Sequence, residues 1–220
     1  MGDIIQKHCN YQKLISYQNS VVIFDATVKF CSLFLSQRDR TVDQMIQAAR
    51  SGKQNIIEGC SAAAVSSETE IKLYGVARAS FEELLEDYRD YLRTHHMTLW
   101  DRTDPRIQKF RDTITQDGIN SKICETYLPP GNPELYCNTV ITLIHLTNYL
   151  LDRHLKKLER LFSENGGIRE RMSACFSSRG VSLCQSSRFF TSPPLRFHPL
   201  ARQDRSQPSL IAEARYCESV

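Results

Sequence analysis

Apolar residues recur along this chain at three-, four- and seven-residue steps, and four long segments carry that helical period. In the first, about 10–35, Leu14, Val21, Phe24, Val28, Cys31 and Leu35 share a face, and Val22, Ile23, Phe30 and Phe34 extend the apolar surface round the helix. A helix apolar nearly all round must be covered on more than one side. It is either a subunit contact or a broad core helix with a few scattered exposed residues. The second segment, about 41–65, has Val42, Met45, Ala49, Ile56 and Cys60 as its stripe, and the third, about 68–94, has Tyr74, Phe81, Leu84, Leu85, Tyr88 and Leu92. The third helix's outer face carries Glu82, Glu83, Glu86, Asp87 and Asp90, partly matched by Arg89 and Arg93, and reads as solvated. The pattern lapses over 95–132, except for a short amphipathic stretch from Asp104-Pro105 to about 116. Asn132 as cap and Pro133 at the first position open the last helix, about 133–162, whose core candidates include Val140, Ile141, Ile144, Leu151 and Leu155; Asn165-Gly166-Gly167 ends it. The expected fold is all-α: an antiparallel up-and-down four-helix bundle over 10–162, after a 1–9 lead. Residues 163–220 read as a short helix, 168–176, and then an irregular, low-order tail rich in serine, arginine and proline.

The second and third helices are the most specific part. Ser67-Glu68-Thr69-Glu70 between them reads as a capping box, so the pair forms a tight hairpin. A turn near Ser66 and Ser67 sets facing residues at numbers that sum to about 133. Asn55 then faces Arg78, Gly52 faces Phe81, Gly59 faces Tyr74 and Arg50 faces Glu83, with Glu58 within a turn of Arg78. Each interior glycine costs roughly 1 kcal/mol against alanine, and close helix approach under a ring is the expected compensation; at Gly59 a kink or an early helix end is the alternative. Asn55, Glu58, Arg78, Ser80 and Glu83 form the one polar constellation that stands out. It is either a ligand or partner site, or a buried network that fixes helix register, and the second is favoured because buried charge must be paired.

These residues also carry a family resemblance. The run Asn55-Ile56-Ile57-Glu58-Gly59, followed by Ala77-Arg78-Ala79-Ser80 and Glu83, resembles the signature of the four-helix-bundle proteins named after the 23S rRNA intervening sequence. The longer wording from Arg50 to Arg93 is similar to its four helix bundle suffix-domain subgroup. The resemblance covers roughly residues 11–162. It implies an up-and-down bundle that assembles into a homo-oligomeric ring, typically a pentamer. A distant relative, the accessory variability determinant of diversity-generating retroelements, brings in RNA or reverse transcriptase as partners.

Charge tempers that second implication. The net charge of +3 divides unevenly: residues 163–220 hold 8 of the 28 basic and 5 of the 25 acidic residues, so the body is neutral. Nucleic-acid surfaces concentrate basic excess on one face, which a neutral body does only in a local patch. The eight cysteines include no C-x-x-C pair, and Cys31 and Cys60 read as buried free thiols in a reducing compartment. The N-terminus lacks a signal-peptide core, and the most apolar run, 21–35, is interrupted by Asp25 and Lys29 and too short for a bilayer. A cytoplasmic location with no membrane partner is expected. His95-His96, His145 and His154 fit no metal-ligand spacing, Cys9 beside His8 has no orienting third group, and no phosphate loop occurs. Neither catalysis nor a cofactor is expected, and the sequence points to a non-catalytic scaffold or adaptor.

Overall fold

A computed structural model describes residues 10–119 and 125–166, all of whose regular structure is helical. A 3-10 turn, Tyr11–Lys13, is followed by α1 (Ile15–Phe34), α2 (Arg40–Ala62), α3 (Ser67–Thr94), α4 (Pro105–Asp117) and α5 (Pro133–Asn165). The expected lead 1–9 and the segment 168–220 lie outside the described residues.

Helix ends follow local chemistry. The Asp39 side chain accepts from the Thr41 amide at 2.9 Å to start α2, and Asp104 and Asn132 cap α4 and α5 ahead of a proline at the first turn. Gly118 (φ 67°) and Gly166 (φ 66°) close α4 and α5 with extended ψ, a backbone region that only glycine enters cheaply. One start differs from expectation. Ser66, not Ser67, caps α3, its hydroxyl accepting from the Thr69 amide at 3.2 Å. That shift moves Glu70 out of the capping position to one place further along, one turn before Tyr74 on the inward face, where it is buried.

The four long helices close a ring of neighbours: α1 packs on α2 and α5, and α3 packs on the same two. Up-and-down connectivity follows from the short links α1–α2 and α2–α3 and the long return between α3 and α5. At the centre the Phe30 ring lies 4.9 Å from both Tyr88 and Tyr91 and 5.7 Å from Tyr136. Buried tyrosines need partners for their hydroxyls, and α1 supplies them for Tyr88 and Tyr136. Tyr88 donates to Thr27 Oγ1 at 3.1 Å, Thr27 donates onward to the Ile23 carbonyl at 2.7 Å, and Tyr136 donates to the Ala26 carbonyl at 2.9 Å.

The apolar surplus of α1 is largely absorbed inside the chain. Val22 and Ala26 line an apolar cavity together with Phe110 and Ile114 of α4, which packs on α5. Ile15, Val28 and Leu33 remain exposed, at 60%, 40% and 43% of their surface. Cys31 and Cys137 are buried free thiols, and burial pushes the Cys31 thiol up to about 11. Cys60 is buried as its periodicity predicts, but it is disulfide-bonded and not a free thiol. Helical spacing reports burial and says nothing of a sulfur's partner, and a disulfide removes this cysteine from the argument for a reducing compartment. Among the described residues no helix is long and apolar enough to cross a membrane.

Candidate functional site

The α2–α3 seam has the register its small and large residues specify. A Cβ built at Gly52 would lie 2.5 Å from Phe81 Cζ, and one at Gly59 would lie 3.2 Å from Tyr74 Cδ2. Both glycines are buried inside α2, which runs on to Ala62, so Gly59 marks close packing and not an early end. The Asn55 side chain donates to the Ser51 carbonyl at 2.9 Å and to Ser51 Oγ at 3.2 Å. Ser51 Oγ lies 2.9 Å from Ser80 Oγ, and Ser80 also donates to the Val76 carbonyl at 3.0 Å. This chain of amide and hydroxyls links the two helices at one level.

The charged members of the constellation do not join it. Arg78 turns to the other side of α3, where its Nε donates to Asp152 Oδ1 of α5 at 2.6 Å, and its Nη1 lies 4.0 Å from Glu82. Its side chain is 41% exposed. Glu58, Arg50 and Glu83 are also exposed, and no ion pair joins them to Arg78 or to each other among the described residues. The buried acid–amide–guanidinium network is therefore corrected to a neutral Asn55–Ser51–Ser80 link. Summed residue numbers fix the level at which two helices face each other but leave side-chain azimuth open, and a long arginine reaches water more cheaply than a buried carboxylate.

The α3–α5 seam, by contrast, is richer than the sequence suggests. Below the Arg78–Asp152 pair, Glu82 accepts from Asn148 Nδ2 at 3.2 Å. Toward the hairpin end the His154 ring stands edge-on to Tyr74 at 4.6 Å, with its Nε2 3.8 Å from the buried Glu70 carboxylate. Asp152, His154 and Asn148 sit on the face of α5 that meets α3, and the spacing of four between 148 and 152 was the available signal.

Two concavities flank α3 with opposite charge. On the α2 side Asp39, Asp87, Asp90 and His95 line a hollow of about 440 Å³. Asp87 Oδ2 is buried there without a hydrogen-bond partner among the described residues. Burial first, then the nearby Glu83 and Asp90 charges, push its carboxyl up to about 6. Asp87 thus leaves the solvated face expected of it, whereas Arg89–Glu86 (2.6 Å) and Arg93–Asp90 (2.8 Å) are the exposed pairs anticipated. No group of three or more His, Cys, Asp or Glu among the described residues is arranged to hold a metal ion. On the α5 side Arg89, Arg102, Arg111 and His145 surround a hollow of about 360 Å³. No sequence pattern joins these residues, because they come from α3, the 95–104 link, α4 and α5. Trp100 fixes that link: its indole N–H donates to Glu134 at 2.9 Å, its backbone N–H donates to Asn138 at 2.8 Å, and the Arg106 guanidinium lies 3.6 Å over its ring. Comparison with protein-family models, with curated proteins and with solved structures finds no match.

Proposed function

We propose that this protein is a non-catalytic bundle that associates with copies of itself and serves as a scaffold or adaptor. The observation that carries the reading is the exposure of Ile15, Val28 and Leu33 on α1. Among the described residues this helix shows more large apolar side chains at its surface than any other, beside single ones such as Val65, Val76, Leu99 and Tyr149 elsewhere. Ile15 and Leu33 are separated by about five helical turns and so lie along one line of α1. Repetition of such a contact head to tail closes into a ring. The resemblance of residues 50–93 to the 23S rRNA intervening-sequence family points the same way. In keeping with a non-catalytic role, the hairpin's conspicuous residues are accounted for by packing: Gly52 and Gly59 admit rings, and Asn55 and Ser80 tie α2 to α3. Mass measurement in solution tests the reading. Species at multiples of 25.3 kDa at micromolar concentration are expected, and a monomer alone would reject it.

A further inference from the structure

The hollow on the α5 side of α3 holds an excess of positive charge. Three guanidinium groups line it. Arg89 is paired with Glu86 at 2.6 Å, but Arg102 and Arg111 have no ion pair among the described residues. Arg89 retains a further donor: its Nε–H is buried and has no acceptor there. Burying a donor beside uncompensated positive charge is costly unless an acceptor arrives. The surrounding wall is not polar throughout. Ile107 and Ile141 are buried at its base, and Leu99 and Trp100 form one side. Because Trp100 is held by Glu134, Asn138 and Arg106, that side is pre-formed and not a loose flap.

We propose that this concavity is a binding site for a small organic phosphate monoester. Two unpaired guanidinium charges match one dianion, and a phosphate monoester carries a charge of about −1.5 to −2 at neutral pH. The planar donor forks of arginine fit phosphate oxygens two at a time, and Arg89 Nε–H supplies a further donor. The apolar side formed by Leu99, Ile107 and Ile141 suits the organic part of the ester, and a volume of about 360 Å³ sits at the lower end of the ~300–1,000 Å³ usual for small-molecule pockets. His145, exposed at the rim, senses the same field. Its ring is held below the ordinary histidine value by partial burial and by Arg89, Arg111 and Arg102, against the raising effect of Glu82. The local acids are already engaged: Glu86 with Arg89, and Glu82 with Arg78 and Asn148. This inference is independent of self-association, since none of its residues lies on α1.

Calorimetric titration of the full chain with phenyl phosphate at constant ionic strength tests the site. Saturable binding of one ligand per chain is expected. Phenol should give no binding, and inorganic phosphate should bind more weakly than the ester. Arg102→Gln and Arg111→Gln should each weaken phenyl phosphate by about tenfold, the usual scale of one lost charge-assisted contact. Arg102 is exposed and Arg111 half-buried, and neither is paired, so both variants should melt with the parent. Should either melt lower, Arg102→Lys and Arg111→Lys replace them; these keep the charge but lose the fork, and must still weaken the ester. Unchanged affinity in these variants, equal affinity for inorganic phosphate, or binding of single-stranded RNA with no response to phenyl phosphate would each overturn the assignment.

Discussion

Gly52 and Gly59 occupy equivalent positions seven residues apart, yet the contacts over them differ enough to separate their substitutions. At Gly52 a new methyl would meet the Phe81 ring at 2.5 Å, and that ring is wholly buried and cannot swing aside. Gly52→Ala should destabilise the fold by about 2–3 kcal/mol, as overpacking does. At Gly59 the nearest ring atoms stand at 3.2 Å, so Tyr74 must give only a few tenths of an ångström. There the gain of roughly 1 kcal/mol in helix propensity offsets much of the strain, and Gly59→Ala should fall within about 1 kcal/mol of the parent. Urea unfolding of the two variants measures both. The reverse order would mean that the helices do not meet in this register. Asp87 offers a second residue-scale test, in pH. Its carboxyl, ordinarily near 3.8, is raised to about 6 in the fold. The folded state therefore holds the proton more tightly, so the stabilisation is full below 3.8 and is lost as pH rises through about 6. Asp87→Asn should be more stable than the parent above pH 7, by on the order of 1–2 kcal/mol after solvent screening, with the difference gone near pH 4. Melting curves across that range would settle the sign.

Elements were more legible than their faces. All four long helices and the short Pro105 helix were readable from apolar period, because the cores of α1, α2, α3 and α5 repeat at three and four. The starts of α4 and α5 were readable also from their caps, Asp104 and Asn132, whereas the sequence reading does not single out the Asp39 cap and places the α3 cap one residue late. The hairpin register was readable too, since glycine against a ring admits little slippage. Which way Arg78 pointed was not. Its partner Asp152 lies 74 positions away on a helix whose rotation the sequence pattern leaves free, and the basic hollow draws its three arginines and His145 from four different segments. The consequence for Arg78 can be measured. Both members of the Arg78–Asp152 pair are 41% exposed, so the contact behaves as a surface ion pair. Arg78→Ala should cost no more than about 1 kcal/mol, and a double-mutant cycle with Asp152→Ala should show coupling of at most about that size. A loss of about 3–5 kcal/mol would instead indicate a buried charge left without a partner.

For the whole molecule, the question is what α1 does with the apolar surface that α2, α4 and α5 leave uncovered. Residues 1–162 carry no net charge in formal terms, so no strong self-repulsion opposes contact between copies. Ile15 and Leu33 are each more than 40% exposed, and neither supports the internal core. Replacing both with lysine should therefore change the unfolding free energy by only about 0.5 kcal/mol while placing two like charges in every copy of the contact. Light scattering on the parent should show assembly above 25.3 kDa, and the Ile15→Lys/Leu33→Lys variant should shift to the monomer mass. Parent and variant assembling alike would move the interface off α1, whereas a variant that unfolds would show these side chains to be structural. Phenyl phosphate affinity should be equal in parent and double variant, because the arginine hollow is built from α3, α4, α5 and the link that carries Trp100. Loss of both properties together would mean that the hollow is completed by a neighbouring copy, and the two functions would then be one.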